Sequence, residues 1–134
     1  MFDYSNSVSG NIDIKNLWNL YSDTTQWKNW DVDIKDVKLS GIFTTGSSGV
    51  IHMKNGQDLP FVIESCIENT EFKTVSQLGE IKVCFFHTIK QNEIIHRVTV
   101  EGKGVDEEKL MGIGKGITSS LPATMEKLLS MVLQ

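Results

Sequence analysis

The side chains best placed to do chemistry near neutral pH are the imidazoles of His52, His87 and His96. A neutral imidazole donates or accepts toward a carbonyl or hydroxyl, and one that titrates near neutrality can serve as a general acid or base. His87 and His96 flank Gln91-Asn92. If those two residues form a tight turn, the two imidazoles face each other across neighbouring strands. Ser65 and Thr74 then lie one row along, beside Phe85 and Val98, with Ser76 beyond. Three roles are open to the pair. They can be buried and hydrogen-bonded to each other, to Ser or Thr, or to water. They can orient a ligand. They can act at a substrate's enol or carbonyl, or bind a metal. A metal needs further ligands, and no Asp, Glu or Cys shares that face in this register. Nor does a carboxylate there orient either ring for catalysis. His87 and His96 are therefore candidates only, and neither metal nor cofactor is expected.

The strands that must hold these rings can be registered by arithmetic. Residues 61–68, 71–78, 81–90 and 93–101 alternate in character and are separated by Asn69-Thr70, Gly79-Glu80 and Gln91-Asn92. Two-residue turns pair Leu78 with Ile81, Ile67 with Phe72 and Ile89 with Ile94. One face then carries Phe61, Ile63, Ser65, Ile67, Phe72, Thr74, Ser76, Leu78, Ile81, Val83, Phe85, His87, Ile89, Ile94, His96, Val98 and Val100. The other carries Glu64, Lys73, Lys82, Arg97 and further charges, so the meander has one apolar and one wet face. Upstream, 34–43 and 49–53 read as strands, and Asn55-Gly56 as a hairpin of two or four residues. Either length points His52 inward. Cys66 and Cys84 fall on the wet face, two strand spacings or about 9.6 Å apart, beyond the roughly 7 Å reach of a disulfide. They are expected to be free thiols. Phe86 also points outward, within reach of a cation–π contact with Arg97.

The apolar face needs a cover. Residues 106–132 supply it: Leu110, Ile113, Ile117, Leu121, Met125, Leu128 and Val132 form one helical stripe, with Asp106 as N-cap. Pro122 predicts a kink. Gly112, Gly114 and Gly116 let the helix lie close to a sheet; a movable flap over a cavity is the alternative. At the other end, 2–8 reads as a strand, 12–21 as a short helix, and 23–29 as another turn or two. Trp27 and Trp30 follow as anchors.

The 134 residues carry a net charge of −4 and no basic cluster, which argues against nucleic acid and anionic membranes as partners. No run is long and apolar enough to span a membrane, and the N-terminus has no signal-peptide pattern. The expectation is a cytoplasmic monomer or weak homodimer, folded as one domain over 1–134.

Element order and residues together resemble the helix-grip fold, and within it the polyketide cyclase/dehydrase-like branch of the START-related SRPBCC superfamily. The resemblance rests on Leu17-Trp18 before Asp23, Trp27 and Trp30, Gly41 and Gly46, His96-Arg97-Val98 before Gly102, and Ile113-Gly114 with Leu121-Pro122. It implies an α+β domain of about seven antiparallel strands curled around a long C-terminal helix. It also implies a cavity between them for a small hydrophobic or amphipathic molecule, a lipid among the possibilities. The expected lining is Trp30, Phe43, His52, Phe61, Ser65, Phe72, Thr74, Phe85, His87, His96, Val98, Met111, Gly114, Ile117 and Leu121. Access is expected beside Gly46 and the glycine-bearing half of the helix. Two other functions fit the same resemblance: a cyclase or dehydratase of a polyketide-like substrate using a cavity histidine, and an interaction module of the chaperone-activator type with an exposed apolar patch near Phe86 and Ile95.

Overall fold

A computed structural model describes all 134 residues, Met1–Gln134. Strand β1 (Phe2–Ser9) leads into helix α1 (Ile14–Ser22), a 3₁₀ turn (Thr24–Gln26) and the single-turn helix α2 (Trp27–Trp30). Six strands follow: β2 (Ile34–Ser40), β3 (Ser48–Met53), β4 (Asp58–Ile67), β5 (Glu71–Leu78), β6 (Ile81–Lys90) and β7 (Glu93–Gly102). Helices α3 (Glu107–Thr118) and α4 (Leu121–Val132) close the chain. The seven strands make one antiparallel sheet in the order β1-β7-β6-β5-β4-β3-β2. No helix is long and apolar enough to cross a membrane.

Local chemistry sets most of these limits. Asp13 caps α1, its carboxylate accepting from the Asn16 amide at 3.1 Å, and Asp23 starts the 3₁₀ turn in the same way through Thr25. Met125, Leu128 and Val132 recur at helical spacing on α4, and all are fully buried. Each such burial contributes about 1.5–3 kcal/mol. Trp27 and Trp30 anchor α2 by donating their indole N–H groups to the carbonyls of Tyr21 and Leu20, at the end of α1.

The register expected for β5, β6 and β7 is present residue for residue, including Leu78 with Ile81, Phe72 with His87, and His87 with His96. Gly79 and Asn92 sit at φ 63 in the two turns, the left-handed region these residues adopt at least cost.

The β4–β5 hairpin departs from the expectation. Ile67 pairs with Glu71, leaving a three-residue loop with Asn69 at φ 60. A bulge then makes Glu64 the extra residue, after which Ile63 pairs with Thr74. The odd loop reverses the faces near the turn, and the bulge reverses them back. Phe61 and Ile63 therefore still point inward, whereas Ile67 is exposed and Cys66 packs against the core. Ser65, paired with Lys73, is off the inner face. Both cysteines are free thiols. Cys84 lies between Val75 and Thr99 on the outer face but is buried.

The β3–β4 hairpin also has an odd loop. The Met53 amide donates to the Gln57 carbonyl, and Gly56 lies at φ 92. The three residues between them reverse the expected parity. His52 turns outward, where Nδ1 lies 2.6 Å from an Asp58 carboxylate oxygen. Ile51 takes the buried position.

The C-terminal rod is two helices rather than one kinked helix. It breaks at Ser119-Ser120, which places Pro122 in the first turn of α4, where its missing N–H is harmless. The glycines divide between two tasks. A Cβ on Gly114 would lie 2.2 Å from the Phe2 ring, so this position brings α3 close to β1. Gly112 and Gly116 face open space.

Candidate functional site

A cavity of about 1020 Å³ lies between the inner face of the sheet and the two C-terminal helices. Its walls come from β5–β7 (Thr74, Phe85, His87, His96, Val98), from β2 and β3 (Ile34, Ile51, Met53), and from α3 and α4 (Gly112, Ile113, Gly116, Ile117, Leu121, Thr124). Trp27, Trp30, Asp31 and Asp33 border it, as does the β3–β4 hairpin through Lys54, Asn55, Gln57, Asp58 and Leu59. The β4–β5 ladder stops at Val62 with Val75, so residues 58–61 and 76–78 are not paired with each other. Leu59 and Leu78, from these two unpaired ends, are both lining residues.

Eight of the expected positions thus border one space: Trp30, Thr74, Phe85, His87, His96, Val98, Ile117 and Leu121. The other seven do not. Phe43, Phe61 and Phe72 are spent on an aromatic cluster that plugs the interior beneath α1 and α2. Phe43 lies 5.1 Å from Phe72, and Trp27 lies 5.7 Å from Phe61 and 5.8 Å from Phe72, between ring centroids. His52 and Ser65 were turned away by the odd loop and the bulge. Gly114 meets Phe2, and Met111 is 40% exposed on the far side of α3. The region beside Gly46 contributes nothing to the lining; the β3–β4 hairpin takes that place.

The two imidazoles are held apart in function by their neighbours. Tyr21 and His96 are buried, and the Tyr21 hydroxyl lies 2.7 Å from His96 Nε2. The phenol has no other partner. It must donate to Nε2, which places the imidazole proton on Nδ1. Burial pushes His96 down to about 3 and Tyr21 well above its ordinary value, so both are neutral over the physiological range. His87 stacks on Phe72 at 3.9 Å and lies 4.5 Å from His96, edge to face. Burial, and then the neighbouring His96, hold it well below its ordinary value. Its Nδ1 is buried with no hydrogen-bond partner in the protein. Such an orphaned group costs about 1–3 kcal/mol.

Asp31, Asp33 and Thr124 were not anticipated. Asp31 Oδ1 accepts from the Asp33 amide at 3.0 Å. Burial, opposed in part by that hydrogen bond, raises its carboxyl to about 6. The Asp33 carboxylate accepts from the Ser120 hydroxyl, and the Val32 amide donates to Thr124 Oγ1 at 3.3 Å. These two bonds tie the loop after α2 to the break between α3 and α4 and to the first turn of α4. The pair Asp31 and Asp33, directly after Trp30, was the available signal in the sequence. No group of three or more His, Cys, Asp or Glu side chains is arranged to hold a metal ion.

No family model matches the sequence, and no curated protein matches it. Solved structures do. A START superfamily protein from Mycobacterium smegmatis superposes with a TM-score of 0.66 over 97% of this chain and 99% of its own, at 14% identity. Ara h 8.0201 superposes with a TM-score of 0.66 over 96% and 98%, also at 14% identity. The chain therefore has the helix-grip fold of these structures. DynU16, from the dynemicin biosynthetic locus, matches with a TM-score of 0.67 at 14% identity, over 97% of this chain and 48% of its own. In this helix-grip chain Met125, Leu128 and Val132 bury α4 in the larger core cluster, and Leu110 packs α3 against Phe2, Val83, Val98 and Val100 beside the cavity.

On the outer face, Phe86 is half-buried between Lys73 Nζ at 4.8 Å and the Arg97 guanidinium at 5.0 Å. Arg97 in turn makes a two-pronged pair with Asp3 at 2.8 and 2.7 Å. The patch proposed around Phe86 is covered by cationic side chains and is not an open apolar surface.

Proposed function

We propose that this helix-grip chain, acting as one domain over 1–134, binds a small hydrophobic or amphipathic molecule in the cavity between sheet and C-terminal helices. The observation that carries the reading is a partly open space of about 1020 Å³ between sheet and helices, its apolar wall broken by a few polar side chains. Small-molecule sites are mostly apolar concavities of about 300–1,000 Å³ with a few convergent polar groups. Here Ile34, Ile51, Phe85, Val98, Ile117 and Leu121 supply the apolar wall, and Thr74, His87 and His96 the polar groups. Lipid-like and polyketide-like molecules both suit such a wall.

Binding is favoured over acid–base catalysis. A general base works best when it titrates near the working pH, and burial moves both imidazoles far below it. An interaction module of the chaperone-activator type has less support, because a large space remains between the sheet and the C-terminal helices and Phe86 is covered.

The test is native mass spectrometry after incubation with a mixed library of lipids and aromatic polyketides, read beside intrinsic tryptophan fluorescence. Retention of a ligand with a change in tryptophan emission is expected, and Ile117→Phe, which occupies the space from α3, is expected to abolish it. If nothing is retained, the reading fails.

A further inference from the structure

Resting on the binding reading, the charges around the cavity set which head group it takes. Asp31 is the bordering carboxylate that the protein leaves least compensated. It accepts one backbone N–H and no side-chain donor. The other charged groups around the cavity are already engaged or neutral. Asp33 is bonded to Ser120, Asp58 to His52, and Arg97 to Asp3. His87 and His96 carry no charge at neutral pH. Lys54 is near enough to act on Asp31 through space, but makes no ion pair with it. The rim therefore presents Asp31 and Asp33 against the single ammonium of Lys54.

Deeper in the same cavity, Thr74 is only 3% exposed and its hydroxyl makes no hydrogen bond to the protein. Thr74 therefore leaves a polar group in the interior as well as those at the border. A long molecule that bonds at both places has an apolar body between them.

We propose that Asp31 is the head-group anchor of the cavity and that the ligand is an amphipathic molecule bearing a protonated amine. The amine pairs with the Asp31 carboxylate, and the chain lies along Ile117, Phe85 and Val98 toward Thr74. A carboxylate head group would instead face Asp31 and Asp33 with only Lys54 to receive it, and like charges at close range are repulsive. The arrangement thus discriminates by sign of charge, through both the attractive and the repulsive partner.

The experiment uses three probes of equal chain length, dodecylamine, dodecanol and dodecanoate, titrated into the full chain near neutral pH by calorimetry and native mass spectrometry. The amine is expected to bind about tenfold or more tighter than the alcohol, the gain of one charge-assisted hydrogen bond, and dodecanoate weakest. Asp31→Asn is expected to erase the preference for amine, and Lys54→Gln to keep or enlarge it. Equal binding of all three probes, tighter binding of dodecanoate, or an amine preference that survives in Asp31→Asn overturns the anchor while leaving the cavity reading intact. If none of the three is retained, the cavity reading itself fails and the anchor falls with it.

Discussion

Replacing Asp31 with Asn is expected to stabilise the protein at neutral pH and to leave it unchanged in acid. Asn keeps Oδ1 as an acceptor for the Asp33 amide, so the turn after α2 survives. What it removes is a charge that burial disfavours. The carboxyl is raised from 3.8 to about 6. The folded state therefore holds its proton more tightly than the unfolded chain does. Below 3.8 both states are protonated and the group contributes nothing. Between 3.8 and about 6 the folded state carries more protons, so wild-type stability falls as pH rises. Above about 6 the full penalty is present. At 1.36 kcal/mol per pKa unit the penalty is at most about 3 kcal/mol, and about half that once solvent reaching the cavity border screens the charge. For a chain of this length 1 kcal/mol moves Tm by about 4 °C. Asp31→Asn should then melt about 5 °C or more above wild type near pH 8, with the gap closing as pH falls toward 4. Urea unfolding of both proteins across this range measures it, because the difference between them cancels the other carboxylates. A gap independent of pH, or a variant less stable than wild type near pH 8, refutes the argument that Asp31 is a desolvated and uncompensated charge. A stabilised variant that has also lost amine binding would mean that the penalty is maintained by function.

Two further outcomes follow from named contacts. Tyr21→Phe leaves His96 Nε2 buried without a partner and is expected to cost about 1–3 kcal/mol in chemical denaturation; adding His96→Phe should recover part of the loss, and a fully additive double variant would show that the two groups are not coupled. Gly114→Ala drives a methyl into the Phe2 ring and should cost about 1–3 kcal/mol, relieved when Phe2→Leu is introduced in the same chain.

The parts of the fold legible in the residues are those governed by short-range counting. Gly79-Glu80 and Gln91-Asn92 are even turns, and side chains alternate with period two, so the facing of β5, β6 and β7 followed from the turns alone. The same counting failed at Asn55-Gly56 and Asn69-Thr70, where the loops are odd. Nothing local separates a three-residue loop from its even alternatives, because both accommodate a left-handed Gly or Asn. The Glu64 bulge was equally silent. It is visible only as the device that returns Phe61 and Ile63 to the core after the odd loop has reversed them.

By itself the sequence determined the class of the fold, the pairing of His87 with His96, and the presence of a helical cover with glycines in its first half. Tertiary packing decided the rest. Whether an aromatic fills the interior or borders an empty space depends on what arrives from elsewhere in the chain, and Trp18, Tyr21, Trp27 and Trp30 arrive to enclose Phe43, Phe61 and Phe72. Whether Asp31 is an ordinary surface acid or a proton-retaining one depends on desolvation by distant segments. Burial is a property of the assembled whole, and the chemistry of a cavity is set by burial.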